Sequence, residues 1–372
     1  MRYLVVSRSI PLHQTGGMEY FAQDTARFLV ELGHQVVMLT TEFPDNKSEE
    51  YHRKINFELV GLKGCRGGKY SMRWWQKSLE YFKIRQEDFD CVISVSTSAL
   101  SIAQYAERTI PVIMQSHGTS RAEIKAKFNS HSLMAYFKSV KNVYHLFLDV
   151  FRYKHFDAFI AVGDVVFSDL QKWPLNISPT KCFLVRNGVH RVILDSYDGI
   201  EKNNVAKVCW ISRLHRQKGV HLAIEAFKDP GLESIELHIA GGGPDIIWLK
   251  KKAYGYKNII FHGNISRESV YGFLNRANVF LFTTTRIEGY PLNILEALAS
   301  GLPVVVSEHL VKYLPEIDGI YSVNANDTRD IALKIKMALS GTQPVLPEEY
   351  YVDNVLKKYD QICKKLCRKR KL

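Results

Sequence analysis

The sequence predicts an α/β protein with two doubly wound parallel sheets, and three observations lead to this prediction. Short apolar segments of strand length alternate with helical patterns, as in parallel sheets. A polar stretch from Asp195 to Asn204 divides these segments into an earlier and a later series. With 372 residues, of which 46% are apolar, the chain can bury two cores of ordinary domain size.

The predicted elements follow this division. Strands of the first series are expected near positions 3–7, 35–40, 56–60, 91–95, 112–115, 158–162 and 182–185. Strands of the second series are expected near 206–211, 235–240, 258–261, 279–282, 303–306 and 320–323. A helical pattern from Glu348 to Leu366 precedes a basic tail. We therefore divide the chain into domains 1–194 and 204–345 and a terminal helix with tail, 346–372.

The first strand leads to a glycine pair, Gly16 and Gly17, at the mouth of a helix that ends at Gly33. The pair is not the dinucleotide fingerprint, which needs three spaced glycines, and this disfavours a dehydrogenase. A second candidate, His117, follows the strand from Val112 to Gln115 and should lie at the carboxyl edge where parallel sheets bind ligands. The alternative without a ligand is that Gly16 and Gly17 only permit a turn and that His117 is hydrogen-bonded to the backbone.

Two motifs of the second series suit phosphate. Arg213 and Lys218 lie in a loop that follows an apolar strand and ends at a glycine. The planar fork of the arginine and the point charge of the lysine can therefore converge on a diphosphate. Gly241 and Gly242 follow the next strand, and such a turn permits close backbone approach to a nucleotide. A basic loop without a ligand is the alternative for the cations.

A pair of carboxylates, Glu288 and Glu296, stands eight positions apart across a junction between a loop and a helix. The first-turn amides near Leu292, Asn293 and Ile294 should form an anion site. Two acceptors beside a phosphate suit a nucleotide-sugar, with a ribose at one end and a hexose at the other. An ordinary surface helix with two solvated glutamates would show the same pair.

Together these motifs resemble the retaining glycosyltransferases of family 4, also called glycosyltransferase group 1, of the bacterial surface-polysaccharide type. The resemblance implies the GT-B fold, in which two Rossmann-like domains face a central cleft and a C-terminal helix crosses back to the first domain. It also implies that Glu288 binds the transferred sugar, that Glu296 binds the ribose, and that Arg213 and Lys218 neutralise the diphosphate.

For the first domain, the resemblance implies that Gly16 and Gly17 belong to a GG-x-E loop at the distal phosphate, and that His117 lies beside the sugar. His190 replaces an aspartate common after the Asn-Gly-Val turn, and we assign it no role. The catalytic and donor-binding predictions concern the following residues: His117, Arg213, Lys218, Glu288, Gly16, Gly17, Gly241, Gly242, Gly289, Tyr290, Pro291, Leu292, Asn293 and Glu296.

The function expected from these residues is transfer of a hexose, from a nucleotide-sugar that is preferably UDP-linked, to a glycan or lipid-linked acceptor in cell-surface polysaccharide or lipopolysaccharide biosynthesis. The resemblance implies that no metal is needed, since the helix amides with Arg213 and Lys218 can carry the charge of the leaving diphosphate. No cofactor is expected, because the nucleotide-sugar is a co-substrate. Two alternatives remain: a nucleotide-sugar epimerase or hydrolase of the same fold, and a non-catalytic module that binds membrane or nucleic acid.

The net charge of +12 suggests a further partner. Basic residues concentrate between Cys363 and Lys371, and between Arg121 and Lys154 they mix with aromatic residues at helical spacing. This composition suits an anionic membrane surface. It would also suit nucleic acid, but we expect no nucleic-acid partner because the donor motifs supply a chemistry whose acceptors are often lipid-linked. A solvated basic face is the third possibility.

The compartment is predicted from absences in the sequence. No apolar run reaches the roughly 18 residues of a membrane span, and the first ten residues are typical of a core strand rather than a signal peptide. Six scattered cysteines without a CxxC pair fit reduced thiols. We therefore expect a cytoplasmic protein, peripheral at the inner face of the cell membrane.

Overall fold

The structure, a computed structural model, describes residues 1–14, 16–44, 48–121, 124, 133–191, 204–286 and 290–370. The chain forms two compact units. The first comprises Met1–Asn187 together with Asp353–Leu372, and the second comprises Gly188–Val352. Of the predicted linker, only Asn204 lies within the described residues.

The first unit alternates strands with helices. Its elements up to residue 187 are β1 (Arg2–Val6), α1 (Gly17–Glu31), β2 (Gln35–Thr41), α2 (Ser48–Arg53), β3 (Glu58–Leu62), α3 (Met72–Arg85), β4 (Cys91–Val95), α4 (Leu100–Ala103), β5 (Val112–Ser116), α5 (Leu133–Tyr153), β6 (Ala158–Ala161), α6 (Asp164–Gln171) and β7 (Cys182–Leu184). The strands pair in the order β3-β2-β1-β4-β5-β6-β7, and every pair is parallel.

The second unit repeats this alternation. Its elements are β8 (Ala206–Ile211), α7 (Val220–Ala226), β9 (Ile235–Ala240), α8 (Ile246–Lys252), β10 (Ile259–Gly263), α9 (Ser269–Leu274), β11 (Val279–Phe282), α10 (Leu292–Ala299), β12 (Val304–Ser307), α11 (Glu308–Val311), β13 (Ile320–Val323) and α12 (Thr328–Leu339). The strand order is β10-β9-β8-β11-β12-β13, again with parallel pairs throughout.

Each sheet therefore has a switch point, β1 beside β4 in the first and β8 beside β11 in the second, where the strand order reverses. Parallel sheets are covered by helices on both faces, and their central strands are correspondingly apolar. All five residues of β4 and all four of β11 are buried. The predicted fold class, two doubly wound α/β units, is confirmed, and ligands of such sheets bind at the carboxyl ends beside the switch point.

Every predicted strand overlaps an observed one, but β3 is displaced. It was expected at 56–60, before Gly61, whereas the observed strand runs from Glu58 to Leu62 and includes that glycine. A Cβ at Gly61 would lie 2.7 Å from a ring carbon of Phe43. Because Gly61 has no side chain, the Phe43 ring can pack against its backbone, and the strand continues through the glycine.

The C-terminal helix α13 (Val352–Arg370) belongs to the first unit, as the prediction of a helix returning to the first domain required. Tyr359 and Cys363 are fully buried on one face of it. The Tyr3 hydroxyl donates to Oδ1 of Asp360 at 3.1 Å, and the same oxygen contacts Nε2 of His34 at 3.0 Å. The helix therefore completes the core beside β1.

The start of this helix differs from the prediction. The residues from Glu348 to Tyr350 form a 3-10 turn, and Tyr351 is extended. Tyr351 forms a parallel bridge with Val189, and the Val189 amide donates to the carbonyl oxygen of Tyr350 at 3.0 Å. The predicted helix therefore begins at residue 352 because the preceding backbone is engaged in this bridge.

The basic and aromatic segment of the first unit contains α5, a long helix whose side chains are described from residue 142 onward. Tyr144, Phe147 and Phe151 are exposed by 63%, 52% and 62% and recur every three or four residues, so they lie on one face. Among the described helices, none combines the length and apolar character needed to cross a bilayer.

Candidate functional site

The loop that follows β8 contains both predicted cations. Arg213 is exposed and, among the described residues, has no hydrogen-bond or ion-pair partner. Lys218 is half-buried at the end of a 3-10 turn, with Nζ 5.7 Å from the centroid of the Phe282 ring. An exposed guanidinium beside a second cation is suited to bind an anion.

Gly219 closes this loop in a conformation that other residues rarely adopt. Its φ is +77°, and a Cβ would lie 1.8 Å from the carbonyl oxygen of Thr283. The Thr283 hydroxyl in turn donates to the carbonyl oxygen of Gly219 at 2.8 Å. The end of the loop after β8 and the residue after β11 are therefore packed backbone against backbone beside the switch point.

The glycine turn after β9 packs against the same loop. The Leu214 amide donates to the carbonyl oxygen of Gly242 at 2.9 Å. A Cβ at Gly241 would lie 1.9 Å from the Ser212 oxygen, and one at Gly243 would lie 2.2 Å from the Leu214 oxygen. The glycines thus let two loops meet closely, which places Gly241 and Gly242 beside the loop that contains Arg213.

The helix α10 starts at the same edge of the sheet. Pro291 precedes it, and the Asn293 side chain donates to the carbonyl oxygen of Ile211 at 2.9 Å, which fixes the first turn against the end of β8. The unpaired amides of a helix start favour an anion. The Ile294 amide, which was expected to be unpaired, instead donates to the carbonyl oxygen of Pro291 at 3.2 Å. Leu292 and Asn293 therefore lie near the two glycines and the cations, whereas Glu288 and Gly289 fall outside the described residues.

Glu296 does not resemble a solvated surface glutamate. It is 3% exposed, and its Oε1 forms an ion pair with Nη1 of Arg267, which precedes α9. Tyr271 on α9 lies near both charges; burial first and then the charge of Glu296 raise the pKa of its hydroxyl. That hydroxyl donates to the carbonyl oxygen of His190 at 2.8 Å. The observed contribution of His190 is thus through its backbone.

Arg267 was not predicted from the sequence. It belongs to no glycine or acidic motif, and its partner is distant along the chain. A lone arginine in the loop after a strand gives no signal until the sheet order is known. Tyr290, which was predicted, is half-buried beside the core of the second unit.

In the first unit, Gly16 caps α1 and Gly17 is its first residue. Glu19 is buried in the first turn, and Gln14 Nε2 donates to its Oε1 at 2.6 Å. A Cβ at Gly16 would lie 2.5 Å from Oε2 of Glu19, so the glycine allows this carboxylate to fold back on the helix start. Glu19 is the acidic member of the GG-x-E pattern, and no role of its own was predicted for it from the sequence.

His117 follows β5 and lies close to the first turns of α1. Its ring meets the Phe21 ring edge-on with centroids 5.7 Å apart. Although part of the residue is exposed, Nε2 is buried and has no hydrogen-bond partner among the described residues. Burial lowers the pKa of His117 to about 3, so the imidazole is neutral at physiological pH. The structure thus brings Gly16, Gly17 and His117 to one edge of the first sheet.

No group of three or more histidine, cysteine, aspartate or glutamate side chains in the described part of the chain is arranged to hold a metal ion. All six cysteines are free and buried.

Two family models match the chain. The model described as Glycosyltransferase Family 4 matches residues 15–191, and the model described as Glycosyl transferases group 1 matches residues 198–350. Two doubly wound units, with a cationic loop, a glycine turn and a helix start at one sheet edge, define a glycosyltransferase of the GT-B fold. The chain belongs to the glycosyltransferases of group 1, as the motifs predicted.

Known proteins agree with this assignment. An uncharacterized glycosyltransferase of Methanocaldococcus jannaschii is 22% identical over 71% of this chain and 68% of its own. The structure of Anabaena HepE in complex with UDP-glucose matches 98% of this chain and 100% of its own with a TM-score of 0.72 and 15% identity. The apo lipopolysaccharide outer core galactosyltransferase WaaB matches 98% of this chain and 100% of its own with a TM-score of 0.66 and 16% identity.

Proposed function

We propose that this protein transfers a hexose from a UDP-linked sugar, with retention of anomeric configuration, to a glycan or lipid-linked acceptor of a cell-surface polysaccharide or lipopolysaccharide. One observation supports this above all others. Arg213, exposed and unpaired among the described residues, shares a sheet edge with the Gly241–Gly242 turn and the start of α10. An arginine fork, a close backbone and the amides of Leu292 and Asn293 at the helix start together suit a diphosphate.

The reaction we propose is a front-side displacement without a protein nucleophile. The bond between the anomeric carbon and the phosphate oxygen breaks, and the acceptor oxygen bonds to that carbon on the same face. The acceptor proton passes to the departing phosphate oxygen. Arg213 and Lys218 stabilise the charge that develops on this diphosphate, which is the term that usually dominates catalysis of this kind. Because these two cations are present, no metal is required in this mechanism.

The other proposed site residues orient the donor. Glu296 binds the ribose, and Glu288 binds the hydroxyls of the sugar. In the first unit, the amides at Gly16 and Gly17 bind the distal phosphate. His117 is neutral because burial lowers its pKa. Its ring can therefore form a hydrogen bond with the sugar without adding a positive charge. Holding the reacting groups in place lowers the entropic part of the barrier.

We further propose that the protein works at the cytoplasmic face of the cell membrane. The exposed stripe of Tyr144, Phe147 and Phe151 on α5, with Lys154 exposed beyond it, supports this proposal. Aromatic side chains at one helix face insert at the headgroup level, and cations add attraction to acidic lipid. The name of WaaB, an enzyme of the lipopolysaccharide outer core, supports an acceptor of the same class.

A donor screen followed by product analysis tests the proposed activity. We expect UDP to raise the melting temperature more than GDP or ADP, because a ligand that binds only the folded state stabilises it. UDP-hexoses are then incubated with lipopolysaccharide core oligosaccharides of increasing length, with and without EDTA. Retention is expected in the anomeric NMR signal of the product, and turnover should survive EDTA. Release of free sugar with no transfer to any acceptor would favour the hydrolase alternative.

A further inference from the structure

The second unit contains an ion pair between Arg267 and Glu296, and the proposed function gives Arg267 no role. Glu296 lies within α10, whereas Arg267 lies in the loop between β10 and α9. The carboxylate is almost fully buried, and the guanidinium side chain is about one-third exposed. The pair therefore joins a fourth loop to the edge formed by the loops after β8, β9 and β11.

A buried carboxylate needs a partner, because charge removed from water is costly unless it is paired. Tyr271 is near, but its hydroxyl donates to the carbonyl oxygen of His190 and is thereby directed at backbone. Burial first and then the charge of Glu296 raise the pKa of the Tyr271 hydroxyl, whereas the charge of Arg267 lowers it. Among these neighbours, Arg267 is the group that supplies a positive charge in direct contact with the carboxylate.

We propose that Arg267 is a positioning residue that holds the Glu296 carboxylate in place to recognise the ribose of a nucleoside diphosphate. A carboxylate has two oxygens and accepts several hydrogen bonds, so the contact at Oε1 leaves acceptor capacity for two adjacent hydroxyls. An arginine restricts the rotation of its partner because its planar fork has a fixed geometry. This inference rests on the proposed function, which assigns Glu296 to the ribose.

The test compares UDP with 2′,3′-dideoxy-UDP by isothermal titration calorimetry on the full chain. The wild type should prefer UDP by roughly 10-fold to 100-fold, the range expected for hydrogen bonds to a charged group. Arg267→Met should remove most of this preference, and Arg267→Lys should restore part of it. If Arg267 only stabilised the fold, Arg267→Met would weaken both nucleotides equally and the preference would remain, which would overturn the inference.

Two further measurements keep the result interpretable. The double variant Arg267→Met with Glu296→Gln should lose no more ribose preference than either single variant, because both act on one contact; additive losses would contradict the inference. Arg329→Met, the same substitution at an exposed site of α12, should change nothing. Where Arg267→Met does not fold, Arg267→Gln and Arg267→Lys provide the same comparison.

The outcome for the wild type separates this inference from the proposed function. If the wild type bound none of UDP, GDP and ADP, the proposed function would fail and the inference with it. If it bound UDP and Arg267→Met kept the full preference for the ribose hydroxyls, the inference alone would fail.

Discussion

The side chain of Asn293 donates to the carbonyl oxygen of Ile211, and this bond fixes the first turn of α10 to the end of β8. The distance is 2.9 Å, and the bonded oxygen belongs to the residue just before the loop that contains Arg213 and Lys218. The first turn of α10 is thereby tied to the start of the loop that contains the two cations. This preorganisation is what an electrostatic mechanism requires.

The first prediction concerns the backbone contact at Gly219. Gly219→Ala should abolish nucleotide binding or folding, because its Cβ would lie 1.8 Å from the Thr283 oxygen. Gly255→Ala is the matched control, since Gly255 has a similar φ of +88° with no atom within 4 Å of the added Cβ. The control should cost only about 1–2 kcal/mol of stability in urea unfolding. Equal effects of the two substitutions would show that the close contact is unimportant.

The second prediction concerns the two glutamates. Glu296→Gln should weaken UDP binding, because a bond to ribose exists in both the ground and transition states, whereas Glu288→Gln should lower kcat. Each loss should be roughly 1.5–3 kcal/mol. We choose Gln over Ala at position 296 because Gln keeps a side-chain oxygen beside the Arg267 guanidinium, whereas Ala would leave that cation without its partner. Unchanged UDP affinity and unchanged turnover in both variants would refute the assignment.

The third prediction concerns the leaving group. Arg213→Ala and Lys218→Ala should each lower kcat by roughly 100-fold or more, because they remove charge placed where negative charge develops. Lys250→Ala, at an exposed lysine of α8 outside the site loops, is the control and should have little effect. Steady-state kinetics with saturating donor measures these values. Turnover close to wild type in both site variants would exclude their role in catalysis.

The fourth prediction concerns pH and His117. The pKa of His117 is about 3 in the folded state, below the unfolded value of about 6.5. On acidification, the ring is therefore protonated in the unfolded state before it is protonated in the folded state. Stability from the neutral ring is therefore present above pH 6.5 and is lost as the pH falls, by up to about 1.4 kcal/mol per unit. His117→Asn should flatten this slope in urea unfolding between pH 7 and 5. A slope identical to that of the wild type would mean that His117 titrates normally.

The fifth prediction concerns the membrane. Phe147→Ser with Phe151→Ser should reduce sedimentation with vesicles of acidic lipid, and deleting residues 368–372 should reduce it further without changing UDP affinity. Tyr254→Ser, at an exposed aromatic of the second unit, is the control. Binding should weaken with salt, because surface charges act over about 8 Å at physiological ionic strength. Absence of lipid dependence at low salt, in a protein that still turns over a soluble acceptor, would instead indicate a soluble glycan substrate.

The sequence was sufficient to predict the fold, because the strands of both central sheets appear in it as short apolar runs. It also indicated Arg213 and Gly241 as candidate site residues, since glycines and cations directly after a strand are local signals. It did not predict that Glu296 is buried or that Arg267 pairs with it. That contact depends on the sheet order, which places α9 beside α10, and no local pattern encodes it.

The misplaced boundaries have a similar origin. Gly61 lies inside β3 because the space its missing Cβ would occupy is taken by Phe43, a residue from a different loop. Tyr351 is extended because it pairs with Val189, which is distant in the chain. Propensity suggested a strand end and a helix in these two places, and a long-range contact decided otherwise.

The membership of α13 in the first unit has a consequence for biosynthesis. Residues Gly188–Val352 are in effect inserted into the first unit, whose core lacks Tyr359 and Cys363 until the residues of α13 have been made. At ribosomal rates of about 5–20 residues per second, the helix is synthesised some tens of seconds after β1. The second unit is continuous in sequence and can fold during that interval. The nascent first unit therefore exposes apolar surface beside β1 the longest, and chaperones should bind it there.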